Sequence, residues 1–237
     1  LNEPDAAYSI EDQAFMEPTG LMNAAVRNFL VLAYLDSAGY AERSKRKSAL
    51  ERFRDILERY TFVVEKIQTV SEAISLVFAS AAPLEADARS MPLPDNSIDG
   101  VLFSPPYSFA IDYLKNDSFH LGCMGIDIAS LRARMVGLRG KALREKYDLY
   151  VQDMDRVLAE CARVLRKDRF CTIIIGTNDN QLSKALNMPK ESVKGLHQVM
   201  ADLAAGHGFS LVRMLPRQIS GIANTMRNEY IVILQRI

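Results

Sequence analysis

The chain has 237 residues, 49% of them hydrophobic and 24% charged, which suits one large globular domain or a domain with an appended lobe and excludes disorder, collagen and coiled coil as its main state. Its 29 basic and 29 acidic residues sum to a formal net charge of zero, so any nucleic-acid contact must come from local basic clusters and not from a global field. Cys123, Cys161 and Cys171 lack metal-ligand spacing and lie in or beside apolar stretches. His120, His197 and His207 are scattered, so no metal site is expected. No apolar run approaches the roughly 20 residues of a membrane span, and no charged-then-apolar signal pattern opens the chain. The expected home is a reducing cytoplasm.

Residues 1–82 hold only Gly20 and Gly39, and Leu21, Ala24, Ala25, Asn28, Leu32 and Leu35 recur at helical spacing. This predicts a helical lobe. The basic run Arg43, Lys45, Arg46, Lys47, Arg52 and Arg54 reads either as a solvated helix face or as a phosphate-contacting patch. From residue 83 to 237 short apolar runs alternate with amphipathic stretches, the pattern of an α/β domain with a largely parallel sheet. Strands are predicted at 84–87, 98–103, 170–175, 209–214 and 230–234. A helix over 149–165 carries one stripe, Tyr150, Met154, Val157, Leu158, Cys161, Val164 and Leu165, which should cover a sheet face. A second helix over 192–205 follows Pro189 and is closed by Gly206 and Gly208. Asn178, Asp179 and Asn180 lie just past a predicted strand exit, where they either border a cleft or make a turn.

The segment richest in chemistry runs from Asp87 to Tyr107. It places a polar turn, a buried strand, and then Ser104-Pro105-Pro106-Tyr107 at the carboxyl end of that strand, where open α/β sheets bind ligands. Pro106 has no backbone N–H and both prolines have a fixed φ, so the chain leaves the sheet stiffly with the Pro105 carbonyl available as an aimed acceptor. Ser104 supplies a second acceptor, and Tyr107 an aromatic face for a planar base. Two acceptors and a stacking plate suit the exocyclic amine of a nucleobase, oriented with its lone pair toward an electrophile. The bland alternative is a loop-terminating Pro-Pro followed by a core tyrosine.

Here the sequence resembles the amino-group DNA methyltransferases, which methylate cytosine N4 or adenine N6 with S-adenosylmethionine. Ser104 to Tyr107 match the Ser-Pro-Pro-Tyr form of their signature, commoner among the cytosine-N4 enzymes. Asp87-Ala88-Arg89 and Leu93-Pro94-Asp95-Asn96-Ser97-Ile98-Asp99 look like the family's third-strand segment. The same order continues through Ala110 to Leu114, Leu131 to Arg134, Arg163 to Lys167, Thr172 to Gly176 and Asn228 to Val232.

The resemblance implies a three-layer, Rossmann-like α/β fold with a helical lobe, and a target base flipped out of duplex DNA. It gives Ser104, Pro105, Pro106 and Tyr107 as catalytic residues, and Asp87 and Ala88 at the cofactor's adenine, although Asp87 also reads as a turn-capping carboxylate. Asp112 and Tyr113 either line the base pocket or serve packing. Arg132, Arg134, Arg139 and Lys141 belong to a basic stretch suited to a DNA backbone.

One departure stands out. The family holds the methionine end of its cofactor with a glycine-rich turn after its first strand, and nothing before Asp87 supplies one. Since the first residue is Leu1 and not Met, the expectation is that the first cofactor-binding strands lie upstream or on a partner chain; otherwise this chain binds the cofactor poorly. DNA is the expected partner, with a cognate restriction nuclease left open. The rival readings are an RNA base-amine methyltransferase and a catalytically degenerate domain that binds nucleic acid or a partner subunit.

Overall fold

A computed structural model describes residues 23–43, 48–106, 112–218 and 228–237. It divides into two units, Leu1–Pro83 with Tyr113–Leu131, and Leu84–Asp112 with Arg132–Ile237. Sequence patterning put the whole stretch after residue 83 in the α/β core; the segment Tyr113–Leu131 instead groups with the helical unit.

The first unit is built on α1 (Ala24–Arg43) and α2 (Ala49–Ala73). Ser48 starts α2 with a reciprocal cap: its hydroxyl accepts from the Glu51 N–H, and the Glu51 carboxylate accepts from the Ser48 N–H at 2.9 Å. Asp36 pairs with Arg59 at 2.8 Å, and Phe29 meets Tyr60 edge to face, which joins the two helices. Three short helices follow, α3 (Tyr113–Asn116), α4 (Ser118–Cys123) and α5 (Ile128–Arg134), the last ending in the second unit. Gly39 lets α4 approach α1: a Cβ there would collide with the His120 ring, whose Nε2 lies 2.8 Å from the Leu35 carbonyl oxygen.

The second unit is a four-stranded sheet with β1 (Ile98–Phe103), β2 (Leu165–Gly176), β3 (Phe209–Gln218) and β4 (Asn228–Arg236) in the order β1-β2-β4-β3. β1 and β2 are parallel, while β4 runs antiparallel to both its neighbours. β3 therefore points the same way as β2, and the hairpin partner β4 is inserted between them. This is a mixed, Rossmann-like α/β sheet. The stretch at 84–87, expected as a strand, is not one: its only pairing is an isolated bridge between Asp87 and Ser90, because the Asp87 carboxylate caps a tight turn by accepting from the Arg89 N–H at 2.9 Å. Among the described residues no strand precedes β1.

Helix α6 (Leu143–Val164) starts six residues before its predicted position, since Glu145 accepts from the backbone N–H of Lys141 at 2.8 Å and secures an earlier first turn. Its stripe of Tyr150, Met154, Val157, Leu158 and Cys161 packs on Cys171, Ile173 and Ile175 of β2 and on Val232 and Leu234 of β4. Helices α7 (Asp179–Leu186) and α8 (Leu196–Gly206) complete the same core through Leu182, Leu196 and Met200. On the opposite face of the sheet Leu102 is 70% exposed and Phe170 46% exposed.

Candidate active site

The parallel strands β1 and β2 deliver their last residues to one edge of the sheet, and the chain beyond β1 is Ser104-Pro105-Pro106. Ser104 is exposed and Pro105 buried. The Ser104 hydroxyl donates its one hydrogen to the Ile174 carbonyl of the neighbouring strand at 3.0 Å. That bond fixes the side chain and leaves its oxygen lone pairs as acceptors. Among the described residues none donates to the Pro105 carbonyl. Pro106 is tied more firmly: its carbonyl accepts from the Tyr150 hydroxyl of α6 at 3.0 Å. Tyr107, the expected stacking face, lies outside the described residues.

Upstream of β1, Arg163 pins the approach to the strand. Its guanidinium donates to the Met91 and Leu93 carbonyls and pairs with Asp95 and Glu160. Glu160 also accepts from the Met91 N–H at 2.7 Å, and the Arg163 guanidinium holds its carboxyl at about 2, against 4.5 ordinarily.

Asp87 is turned toward its own neighbour. Oδ1 accepts from the Arg89 backbone N–H and Nε, both at 2.9 Å, and Oδ2 accepts from Arg89 Nη2 at 2.7 Å. Those bonds hold its carboxyl at about 2, against 3.8 ordinarily. An ionised carboxylate has about four acceptor positions, so three are occupied and one remains for a ligand hydroxyl or amine. Ala88 is exposed beside it. Asp87 and Ala88 were expected at the adenine of the cofactor, and the Asp87 carboxylate keeps one acceptor position for such a contact. The Gly-x-Gly of the sequence, Gly206 to Gly208, closes α8.

The basic residues expected at a DNA backbone separate into two kinds. Arg139 donates to Asp153 at 2.6 Å, and Arg132 pairs with Asp112 at 2.8 Å. Both spend their charge within the fold. No ion pair engages the side chains of Arg134 or Lys141 among the described residues. Asp112 therefore anchors Arg132, and Tyr113 begins α3 in the first unit.

Two groups of residues were not foreseen. Asp153, 1% exposed on α6, accepts from both Arg89 and Arg139 at one oxygen. An acid between Tyr150 and Met154 on an apolar stripe was the available signal. At the carboxyl edge of the sheet, Glu229 of β4 lies opposite Gly176, is 2% exposed and pairs with Arg217. Beside it His197 stacks on Tyr230 at 3.6 Å, with Nδ1 3.2 Å from Thr177 Oγ1; burial pushes the His197 imidazole below its usual range. Asn178, read as a cleft or turn residue, caps α7 by accepting from the Gln181 N–H at 3.2 Å.

No protein-family model matches the chain, and no curated protein sequence does. Solved structures do. A candidate DNA modification methylase from Thermus thermophilus is 18% identical over 63% of this chain and 50% of its own, with a TM-score of 0.38. The same protein complexed with S-adenosyl-L-methionine is matched at a TM-score of 0.37, over 63% of this chain and 53% of its own. A SAM-dependent methyltransferase from Methanosarcina mazei is 10% identical over 64% of this chain and 65% of its own, with a TM-score of 0.36. The chain spans about half the length of the Thermus structure.

Proposed function

We propose that this protein methylates the exocyclic amino group of a base in DNA, cytosine N4 ahead of adenine N6, with the base rotated out of the duplex into the space at Ser104 and Pro105. The observation that carries the reading is the pair of oxygens at the end of β1. Ser104 has given its hydrogen to Ile174, and the Pro105 carbonyl is engaged by no described residue. Two neighbouring acceptors with no competing donor among the described residues match the two hydrogens of an exocyclic amine. Holding both hydrogens turns the nitrogen lone pair away from the protein oxygens, toward an incoming electrophile, so the acceleration comes from orientation and not from a titrating side chain.

S-adenosylmethionine, when bound, supplies an electrophilic methyl group. Asp87 and Ala88 are the residues here suited to its adenosine end. Arg134 and Lys141 are the cations left for phosphates, because Arg132 and Arg139 are engaged within the fold. Extrusion of the base is required because a duplex hides the amine from a fixed pair of oxygens.

The test is transfer of labelled methyl from S-adenosylmethionine to duplex DNA, with RNA in parallel, followed by mass spectrometry of the digested nucleosides. N4-methylcytosine is expected as the main product. N6-methyladenine would keep the chemistry and reverse the preferred base. Label in RNA alone would move the substrate, and label in neither would support a binding role.

A further inference from the structure

Residues 61–70 of α2 are exposed without a break, although they include Phe62, Val63, Val64, Ile67 and Val70. Such a stretch is a poor helix on its own. Its valines, isoleucine and threonines are β-branched and lose side-chain freedom in a helix, and most helical stability comes from packing an apolar face. The apolar positions are ordered: Ile56, Tyr60, Val63, Ile67, Val70 and Ile74 alternate steps of four and three, the 3.5-residue repeat of helices that supercoil about a partner. The first part of this stripe is in use. Ile56 is buried, and Tyr60 meets Phe29 of α1. Beyond Tyr60 the same stripe runs on into solvent, with Val63, Ile67, Val70 and Ile74 46%, 49%, 44% and 63% exposed.

A heptad stripe asks for a helix with the same repeat, and α2 of a second copy supplies one. With the two helices antiparallel about a two-fold axis, Ile67 faces Val70 of the second copy and Val63 faces Ile74, and each contact recurs by symmetry. Charge permits this arrangement. Between Thr61 and Ile74 the charged residues are Glu65, Lys66 and Glu72. The two acids are seven apart on the side away from the stripe, and Lys66 flanks it opposite Ala73 of the second copy, so no layer carries a charge and no acid faces an acid. Ser71 beside the stripe donates to the Ile67 carbonyl at 2.6 Å, so covering it strands no hydroxyl hydrogen. A parallel pairing does not fit, because the stripe before Tyr60 would have to admit a third helix where α1 already packs.

We propose that the open half of α2 is a self-association surface, on which a second copy of this chain lays its own α2 antiparallel, with Ile67 against Val70. Two heptads per copy fall short of the about 800 Å² per partner of a standard specific interface, so the dimer is reversible and its affinity micromolar. The surface lies wholly within the first unit and does not rest on the base-amine reading of the Ser104 exit.

The experiment is sedimentation equilibrium of the full chain from about 1 to 100 µM, where a monomer–dimer equilibrium with a dissociation constant of about 10 µM is expected. Ile67→Glu puts a charge into the central layer while keeping a good helix former, and should leave a monomer throughout. A double variant, Ile67→Ala with Val70→Ala, raises helix propensity while removing the facing side chains, and should weaken the dimer at least about tenfold. Leu102→Ser, on the exposed sheet face of the second unit, should dimerise as the parent does. Circular dichroism checks that each variant is folded; if Ile67→Glu fails that check, the alanine pair decides. Orientation is read by oxidative cross-linking, in which Ile67→Cys mixed with Val70→Cys should give a disulfide-linked heterodimer and Ile67→Cys alone should not. A parent that stays monomeric, a dimer that survives the Ile67 variants, a dimer lost in Leu102→Ser, or Ile67→Cys linked to itself would each overturn the proposal.

Discussion

Ser104 exchanges one small side chain for another in Ser104→Ala, and its exposure means that little packing is lost. What disappears is one oriented acceptor and the bond to Ile174. Thermal stability should change by less than about 1 kcal/mol, as for most exposed substitutions away from special features, and circular dichroism melts would show whether it does. Tyr107 separates ring from hydroxyl: Tyr107→Phe should bind base-containing substrate nearly as the parent does, and Tyr107→Ala should weaken it by roughly 1 to 3 kcal/mol in a DNA titration. Equal losses would assign the role to the hydroxyl. Asp87 and Glu160 have folded-state carboxyls at about 2, below their ordinary 3.8 and 4.5, because Arg89 and Arg163 favour the charged forms. A lowered carboxyl contributes stability that is complete above the unfolded value and disappears as pH falls through the folded one. The urea midpoint should therefore stay level from about pH 7 to 5 and drop by about pH 3. An Asp87→Asn, Glu160→Gln double variant should show a smaller drop; an unchanged drop would place the acid sensitivity elsewhere.

Helix α6 is the element on which most of the second unit depends. One stripe fills the core, Asp153 gathers two arginines, and Glu160 and Arg163 hold the segment ahead of β1. Truncating this buried acid takes Arg139 from its ion-pair partner and leaves Arg89 with Asp87 alone, so Asp153→Ala should cost about 3 kcal/mol in urea unfolding. A loss under about 1 kcal/mol would mean that solvent replaces it. The apolar stripe was legible because helical periodicity reports which face is buried. Asp153 was not, since a lone acid in a stripe does not reveal which distant arginines it meets. β1, β2, β3 and β4 were legible as apolar runs, whereas the run at 84–87 yielded to the side-chain capping of Asp87. The basic stretch after Arg132 shows the same limit: sequence supplies cations, and only packing shows that Arg139 is spent on Asp153. Arg134→Ala and Lys141→Ala should each lower the salt slope of DNA binding by about one unit with little change in stability. Arg139→Ala should instead lower stability. If all three changed only the salt slope, the distinction drawn from their ion pairs would be wrong.

At the scale of the whole molecule, the chain divides into two units, and the grouping of Tyr113–Leu131 with the first is not visible in the change of texture near residue 83. Those residues form short helices too brief to show a period, and their affiliation depends on long-range contacts such as His120 with Leu35. The Ser-Pro-Pro exit was readable because proline acts locally on the backbone. Its support by Tyr150 was hidden, since a tyrosine on an apolar stripe reads first as a ring. The exit and its support by Tyr150 meet beside two oxygens at the end of β1, and the proposed function has these orient an amine for methyl transfer. The most direct measurement is the single-turnover rate of labelled methyl transfer to duplex DNA by the intact protein and by Ser104→Ala, at saturating S-adenosylmethionine. Loss of one oriented contact, roughly 1 to 3 kcal/mol, predicts a rate lower by about five- to a hundredfold with the fold retained. An equal rate in the two proteins would contradict the account.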